Sequence, residues 1–222
     1  MSKLIIANWK SNKNITEATD WVETFLQQDR RDNRQYVICP AYPLLSFVAD
    51  VQDSGIELGV QDLSPFGAGA YTGEVAGYSL QQLGITYAIL GHSERRKYFQ
   101  ESSQLVAQKV EQALDFGLTP IICVDREQIQ EQADLLKKDQ LSKVIVAYEP
   151  VHAISTFGGQ EDPIETTLQV IQEVKAAFGE NVPVLYGGSV DPENSLTYLE
   201  QGLIAGVLVG TTSLDPVAFA KL

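Results

Sequence analysis

Val144-Ile145-Val146-Ala147-Tyr148 is an unbroken apolar run, and it ends on Glu149-Pro150. A strand with one wet face alternates apolar and polar residues. A run without alternation is buried on both faces, as strands of parallel sheets are. Working outward, runs of the same kind stand at residues 4–7, 36–39, 57–60, 87–90, 120–124, 182–185 and 206–209. Together they predict eight strands. Longer stretches with helical period separate several of them. Residues 15–26 put Ile15, Ala18, Trp21, Val22 and Phe25 on one stripe, and residues 105–116 and 164–178 do the same with their own apolar sets. Asp162-Pro163, Asp191-Pro192 and Asp215-Pro216 each predict an N-cap acceptor followed by Pro at the first helical position. Gly117, Gly179 and Gly202 follow helical patterns as stop signals.

Chain length then selects the architecture. A mean strand, a mean helix and two short loops take about 26 residues, and eight such units about 210. The chain has 222 residues and no linker-like segment. An α/β fold of the (β/α)8 barrel kind, one domain over residues 1–222, fits with little to spare. The competing doubly wound sheet carries a Gly-rich turn after its first strand. Here the first strand runs into Asn8-Trp9-Lys10. The glycines of the segment 67–73 have the wrong spacing for a phosphate loop and read as a shaped loop.

Composition excludes several function classes. Apolar residues make up 44% and charged ones 20%, which is ordinary globular usage. Sixteen Lys and Arg against 29 Asp and Glu give a net charge of −13. That balance, without a basic run, argues against nucleic acid and anionic membranes as partners. An anionic substrate would need positive potential made locally. Cys39 and Cys123 sit in apolar, strand-like runs and are expected to be reduced, buried thiols, which suits a cytoplasmic location. No apolar run is long enough to span a membrane, and the opening MSKLIIANWK shows no signal-peptide core.

In a barrel, chemistry sits on the loops after the C-terminal ends of the strands. Those ends carry Asn8 and Lys10, Gln61, Gly91-His92-Ser93-Glu94-Arg95, Glu149, Tyr186-Gly187-Gly188-Ser189, and Gly210-Thr211. An acid, an imidazole and an ammonium on separate strands can converge on one small substrate. Each also has a plainer reading. Lys10 fits a solvated loop lysine, and His92 a hydrogen-bonded structural histidine. Glu94 and Arg95 fit a local ion pair. Glu149 is harder to set aside, because a carboxylate at a buried strand's mouth is either paired or chemical. The cysteines and histidines lack metal-ligand spacing, so no metal is expected.

Ala7-Asn8-Trp9-Lys10, Gly91-His92-Ser93-Glu94-Arg95-Arg96, Ala147-Tyr148-Glu149-Pro150-Val151 and Tyr186-Gly187-Gly188-Ser189 stand in the order found in triosephosphate isomerases. The chain resembles that family from residue 4 to about residue 214. The resemblance implies interconversion of dihydroxyacetone phosphate and glyceraldehyde 3-phosphate through an enediolate, as in glycolysis and gluconeogenesis. It implies Glu149 as general base, His92 as a neutral imidazole that polarises the carbonyl, Lys10 as the fixed cation and Asn8 as an orienting group, the acid/base logic being a known one. Glu94 would support Lys10 and His92. The N–H groups of Ser189, Gly210 and Thr211, with Gly187 and Gly188 allowing close approach, would cradle the phosphate. No cofactor is implied. Gly69-Ala70-Tyr71-Thr72-Gly73-Glu74 resembles the loop that docks into a partner subunit, which implies a homo-oligomer, a dimer in the first instance.

The segment after Pro150 resembles the family's lid, whose Ser155 N–H would meet the phosphate, but departs from its pattern. His152 stands for a Trp, Ser155 for a Gly and Phe157 for a second Gly, and Gly158-Gly159 loosens the far hinge. Lost apolar packing, an added Cβ and a more entropic hinge predict slower closure or weaker substrate binding. Thr211 stands for the second Gly of a pair. Asp125-Arg126 replaces a Gly-Glu pair in a fifth unit, residues 124–143, that is shorter than usual. Two other readings remain open from sequence: a different phosphate-binding barrel, and a barrel that has kept its fold but works in binding or assembly.

Overall fold

The computed structural model describes residues 2–48, 54–150 and 162–222. Its strands are β1 (Lys3–Asn8), β2 (Arg34–Cys39), β3 (Glu57–Val60), β4 (Ile85–Leu90), β5 (Thr119–Val124), β6 (Ile145–Tyr148), β7 (Val184–Tyr186) and β8 (Gly206–Val209). All neighbours are parallel, and β1 pairs with β8 to close a barrel in sequence order. The helices are α1 (Ile15–Leu26), α2 (Ser93–Phe99), α3 (Ser103–Asp115), α4 (Ile129–Asp134), α5 (Lys138–Leu141), α6 (Ile164–Phe178), α7 (Ser195–Leu199) and α8 (Pro216–Ala220). Among the described residues no helix is long and apolar enough to cross a membrane.

The unbroken apolar runs have a direct cause. Alternate strand residues feed two cores. Leu4, Ile6, Val37, Ile89, Ile121, Leu185 and Leu208 fill the barrel. Ile5, Ala7, Ile38, Leu90, Ile122 and Val146 face the helices. Both cysteines are free and lie in the inner set. Burial pushes both thiols up, and at Cys123 the neighbouring Glu149 carboxylate adds to it.

Three expectations need correction. The alternation of strand and helix is incomplete. After β2 and β3 the described residues form only 3₁₀ turns, Tyr42–Phe47 and Gly77–Leu80, the first opened by Pro43. The segment between β3 and the second turn has no helical apolar period to bury. Strand β7 begins at Val184 rather than residue 182, because Pro183 has no N–H for the ladder. Asp162 does not cap α6: its carboxylate accepts from the Tyr148 hydroxyl at 2.9 Å, and Pro163 takes the cap position without a side-chain bond. Asp215 does cap α8, accepting from the N–H groups of Val217 and Ala218. Asp191 accepts from the N–H groups of Glu193 and Asn194, but these belong to a turn: α7 starts at Ser195 with Asn194 in the cap position, so the Asp191-Pro192 pair does not open that helix as expected.

Candidate active site

Strand β1 ends in a contorted turn. Lys10 has φ of 54°, a left-handed conformation that costs a residue with a Cβ of order 1–3 kcal/mol. Two amide side chains hold it there. The Lys10 N–H donates to Asn8 Oδ1 at 3.1 Å, and Gln61 Nε2 donates to the Lys10 carbonyl at 2.8 Å and to that of Cys39 at 2.9 Å. The strain turns the ammonium toward Glu94, whose Oε1 lies 2.7 Å from Nζ.

Strand β4 ends at Leu90, and Gly91 turns the chain with φ of +68° into α2. His92 is the N-cap of that helix, and its Nδ1 accepts from the Glu94 N–H at 3.2 Å. A nitrogen that accepts a hydrogen bond carries its lone pair, so the ring proton belongs on Nε2. Nε2 lies 3.1 Å from Glu149 Oε1. The second Glu149 oxygen accepts from the Ser93 N–H at 2.9 Å. Glu149 is only 2% exposed, held at the end of β6 by its own N–H on the Val124 carbonyl.

One cavity is lined by Asn8, Lys10, His92, Glu149, Gly187, Gly188 and Gly210. Side chains from positions 8, 10, 92 and 149 thus meet, as the strand-end reading expects. The glycines have a packing reason. A Cβ on Gly188 would fall 2.2 Å from the Tyr186 hydroxyl, and one on Gly187 would sit 3.0 Å from Glu149 Cγ. Gly210 comes close to Lys10 and precedes a 3₁₀ turn, Thr211–Leu214. Ser189 and Thr211 adjoin lining glycines in sequence and are not themselves among the lining residues. Ser155 and the rest of the lid-like segment 151–161 lie outside the described residues.

The Glu94–Arg95 ion pair does not form. Successive helical residues diverge by about 100°, so the two point to different partners. Glu94 serves Lys10 and approaches His92 Nδ1 at 3.7 Å. Arg95 lies 2.9 Å from Asp62 and 2.6 Å from Glu101, and Lys109 closes the set at 2.6 and 2.5 Å from the same two carboxylates. Sequence reading missed this four-charge cluster, the backbone donor at Ser93 and the role of Gln61. Gln61 was visible as a polar strand end, but nothing in the sequence shows a strained lysine for it to hold.

Against known proteins, the family model for triosephosphate isomerase matches residues 3–222. A triosephosphate isomerase of Mesomycoplasma hyopneumoniae (strain 232) is 37% identical over 240 residues, covering 100% of this chain and 98% of that protein. One from Aquifex aeolicus (strain VF5) is 36% identical over 244 residues, with coverage of 100% and 98%. One from Solibacter usitatus (strain Ellin6076) is 38% identical over 246 residues, with coverage of 100% and 99%. With the closed eight-stranded barrel and a carboxylate, an imidazole and an ammonium around one cavity, these matches show that the chain belongs to the triosephosphate isomerase family.

Proposed function

We propose that this chain interconverts dihydroxyacetone phosphate and D-glyceraldehyde 3-phosphate, with Glu149, His92, Lys10 and Asn8 as the working side chains. The observation that carries the reading is the contact of His92 Nε2 with Glu149 Oε1 at 3.1 Å, beside the Lys10 ammonium in one cavity. A triose inserted there displaces the carboxylate from the Ser93 N–H and brings it over the carbon-bound proton. Glu149 removes the proton from one carbon and returns it to the next. The Nε2–H of His92 donates to the carbonyl oxygen as charge builds on it. Lys10 stabilises the same oxygen and the phosphate, which supplies the local positive potential that a −13 chain needs. Asn8 fixes the Lys10 turn and orients the substrate. Glu94 holds both Lys10 and the histidine tautomer. The N–H groups at Ser189, Gly210, Thr211 and, on the lid, Ser155 receive the phosphate. A base, an electrophile and a cation complete the proton transfer without a cofactor.

A coupled isomerisation assay tests this. Wild-type protein turns over both trioses, and Glu149→Gln loses about 10²–10⁴-fold in kcat, the usual contribution of a general base. Wild-type levels in Glu149→Gln would sink the assignment. The lid reading has its own test: His152→Trp with Ser155→Gly raises turnover or lowers KM, and no gain counts against it.

The assembly is a homodimer through the loop 69–74. Gly69 to Glu74 are all exposed, and Tyr71 stacks on exposed Phe66 with centroids 4.3 Å apart. A cavity of about 380 Å³ beside the site, lined by Ala41, Tyr42, Asp62, Arg95 and Phe99 among others, offers a seat for a partner's loop. Tyr71→Ser is expected to yield monomer by light scattering. Family, reaction and reduced thiols fit a cytoplasmic enzyme of glycolysis and gluconeogenesis with one catalytic domain over residues 1–222.

A further inference from the structure

Arg96 follows the motif residues His92 to Arg95, and the mechanism above does not use it. Its guanidinium shares a second cavity with Gly91, Ser93 and Glu149. Nε donates to the Gly91 carbonyl at 2.8 Å, Nη1 to Ser103 Oγ at 3.3 Å, and Nη2 to the Cys123 carbonyl at 3.2 Å and Gln132 Oε1 at 2.9 Å. All four acceptors are neutral. In a chain with 29 carboxylates, a half-buried cation placed on carbonyls, a hydroxyl and an amide is there for its shape rather than for charge pairing. Burial lowers its pKa accordingly.

The four contacts fall on four elements, the turn after β4, α3, β5 and α4, and the first and third of these adjoin the site residues. Gly91 is the residue before His92. A Cβ on it would fall 2.7 Å from Val106 Cγ2 and 2.9 Å from Nη2, so this turn is packed against both the α3 valine and the guanidinium. Cys123 precedes Val124, whose carbonyl receives the Glu149 N–H at 2.8 Å. Gln132 belongs to α4, in the shortened fifth unit. It is fully buried, and its amide spends both ends: Oε1 on Arg96 and Nε2 on the Ser103 carbonyl at 3.1 Å. A buried glutamine is costly unless so satisfied. Ser103 in turn donates to Glu131 at 2.9 Å.

We infer that Arg96, locked by Gln132, is a positioning residue: its fork fixes the distance between the turn that carries His92 and the β5–β6 pair that carries Glu149. The inference rests on the proposed roles of those two residues. Arg96 touches neither substrate nor reacting atoms. Without it, a triose still binds through Lys10 and the phosphate loops, but base and imidazole lose their mutual spacing. The effect therefore falls on kcat and spares KM.

Steady-state kinetics on Arg96→Met, Arg96→Lys and Gln132→Met test this at a temperature where circular dichroism shows each variant folded. Arg96→Met is expected to lose about 10²-fold in kcat, the scale set by a displacement of about 1 Å, with KM within about threefold. Arg96→Lys recovers little, because one ammonium cannot reach four acceptors. Gln132→Met loses roughly tenfold and adds nothing to Arg96→Met, since both act on one fork. If Arg96→Met does not fold, Gln132→Met decides alone, because it keeps the cation and nearly the same volume. Variants within twofold of wild type in kcat, or changed in KM only, overturn the inference. Found beside an inactive Glu149→Gln protein, that result removes the clamp and leaves the acid/base roles standing. An active Glu149→Gln protein removes the roles themselves.

Discussion

Helix α2 divides two charged clusters between adjacent residues. Through Glu94 it joins Lys10, His92 and Glu149; through Arg95 it joins Asp62, Glu101 and Lys109. Both sets place carboxylates beside cations or an imidazole at hydrogen-bond distance. They differ in what is left over. In the first, Nε2 of His92, an oxygen of Glu149 and the Lys10 ammonium border an open cavity. In the second, two cations are each shared by the same two acids, and Lys109 and Glu101 are 3% and 5% exposed. The first set has interactions to exchange for a substrate; in the second both cations are already shared between two acids, Asp62 and Arg95 border the neighbouring cavity, and the Glu101 Oε2 left without a partner is buried. Buried charge alone therefore does not mark a reactive site. What marks one is a partner that a ligand can replace.

The largest effect should come from the open set. Lys10→Met removes the cation proposed to meet both the phosphate and the oxyanion, and should cut kcat/KM by about 10³-fold or more, on the scale of a lost electrostatic stabiliser with weakened binding added. Its thermal midpoint should stay near that of wild type or rise, because the strained turn is held by Asn8 and Gln61 and not by the ammonium. A collapse in stability with activity per folded molecule intact would reverse the comparison.

Lys109→Met is the mirror experiment. It strands a buried Glu101 and a part-buried Asp62, each left with Arg95 alone, and should cost about 3 kcal/mol in urea unfolding. The folded fraction should keep kcat within a few fold. A loss of kcat comparable to that of Lys10→Met would mean that the closed cluster takes part in the chemistry.

Salt separates the two sets without mutation. At about 0.5 M NaCl the screening length falls to roughly 4 Å, so a dianion approaching the part-buried Lys10 ammonium from solvent feels less of it. KM should rise several-fold. The midpoint of thermal unfolding should move by only a few degrees, since the Lys109–Glu101 pair at the centre of the second set is shielded by burial. Equal sensitivity of both would show that the second cluster is as open to solvent as the first.

The sequence carried the barrel because its signal is summed over the whole chain. Eight apolar runs buried on both faces and a unit length of about 26 residues leave few architectures. The side chains proposed to work were readable because each stands at a strand end, and Asn8, Lys10, His92 and Glu149 line one cavity. The rest depends on relations that sequence does not encode locally. Arg95 finds Asp62 and Glu101 only because α2, α3 and the end of β3 are brought together. Asp162 looked like a helix cap, but the Tyr148 hydroxyl competes for it once β6 and α6 are neighbours. Among the described residues the lack of an α-helix after β3 follows from a glycine-rich segment without apolar period, whereas the unit count alone predicts a regular helix there.

The smallest effect tests how dry the closed set is. Burial pushes the Asp62 carboxyl above its usual range, Lys109 pulling it back and Glu101 pushing it further up. A carboxyl raised in the folded state holds its proton more tightly there than in the unfolded chain. Its contribution to stability is thus present below the ordinary carboxylate value and is lost as pH climbs through the raised one. This is the reverse of a carboxylate stabilised by its ion pairs. Asp62→Asn removes the titration, so its stability relative to wild type should improve as pH rises from the ordinary carboxylate range through the raised one and level off above it, whatever constant penalty the lost charge imposes. Urea unfolding of both proteins at four or five pH values reads that slope directly. A relative stability that instead declines with pH would mean that Lys109 and Arg95 outweigh desolvation at Asp62, and that the closed cluster stabilises through its charges rather than in spite of them.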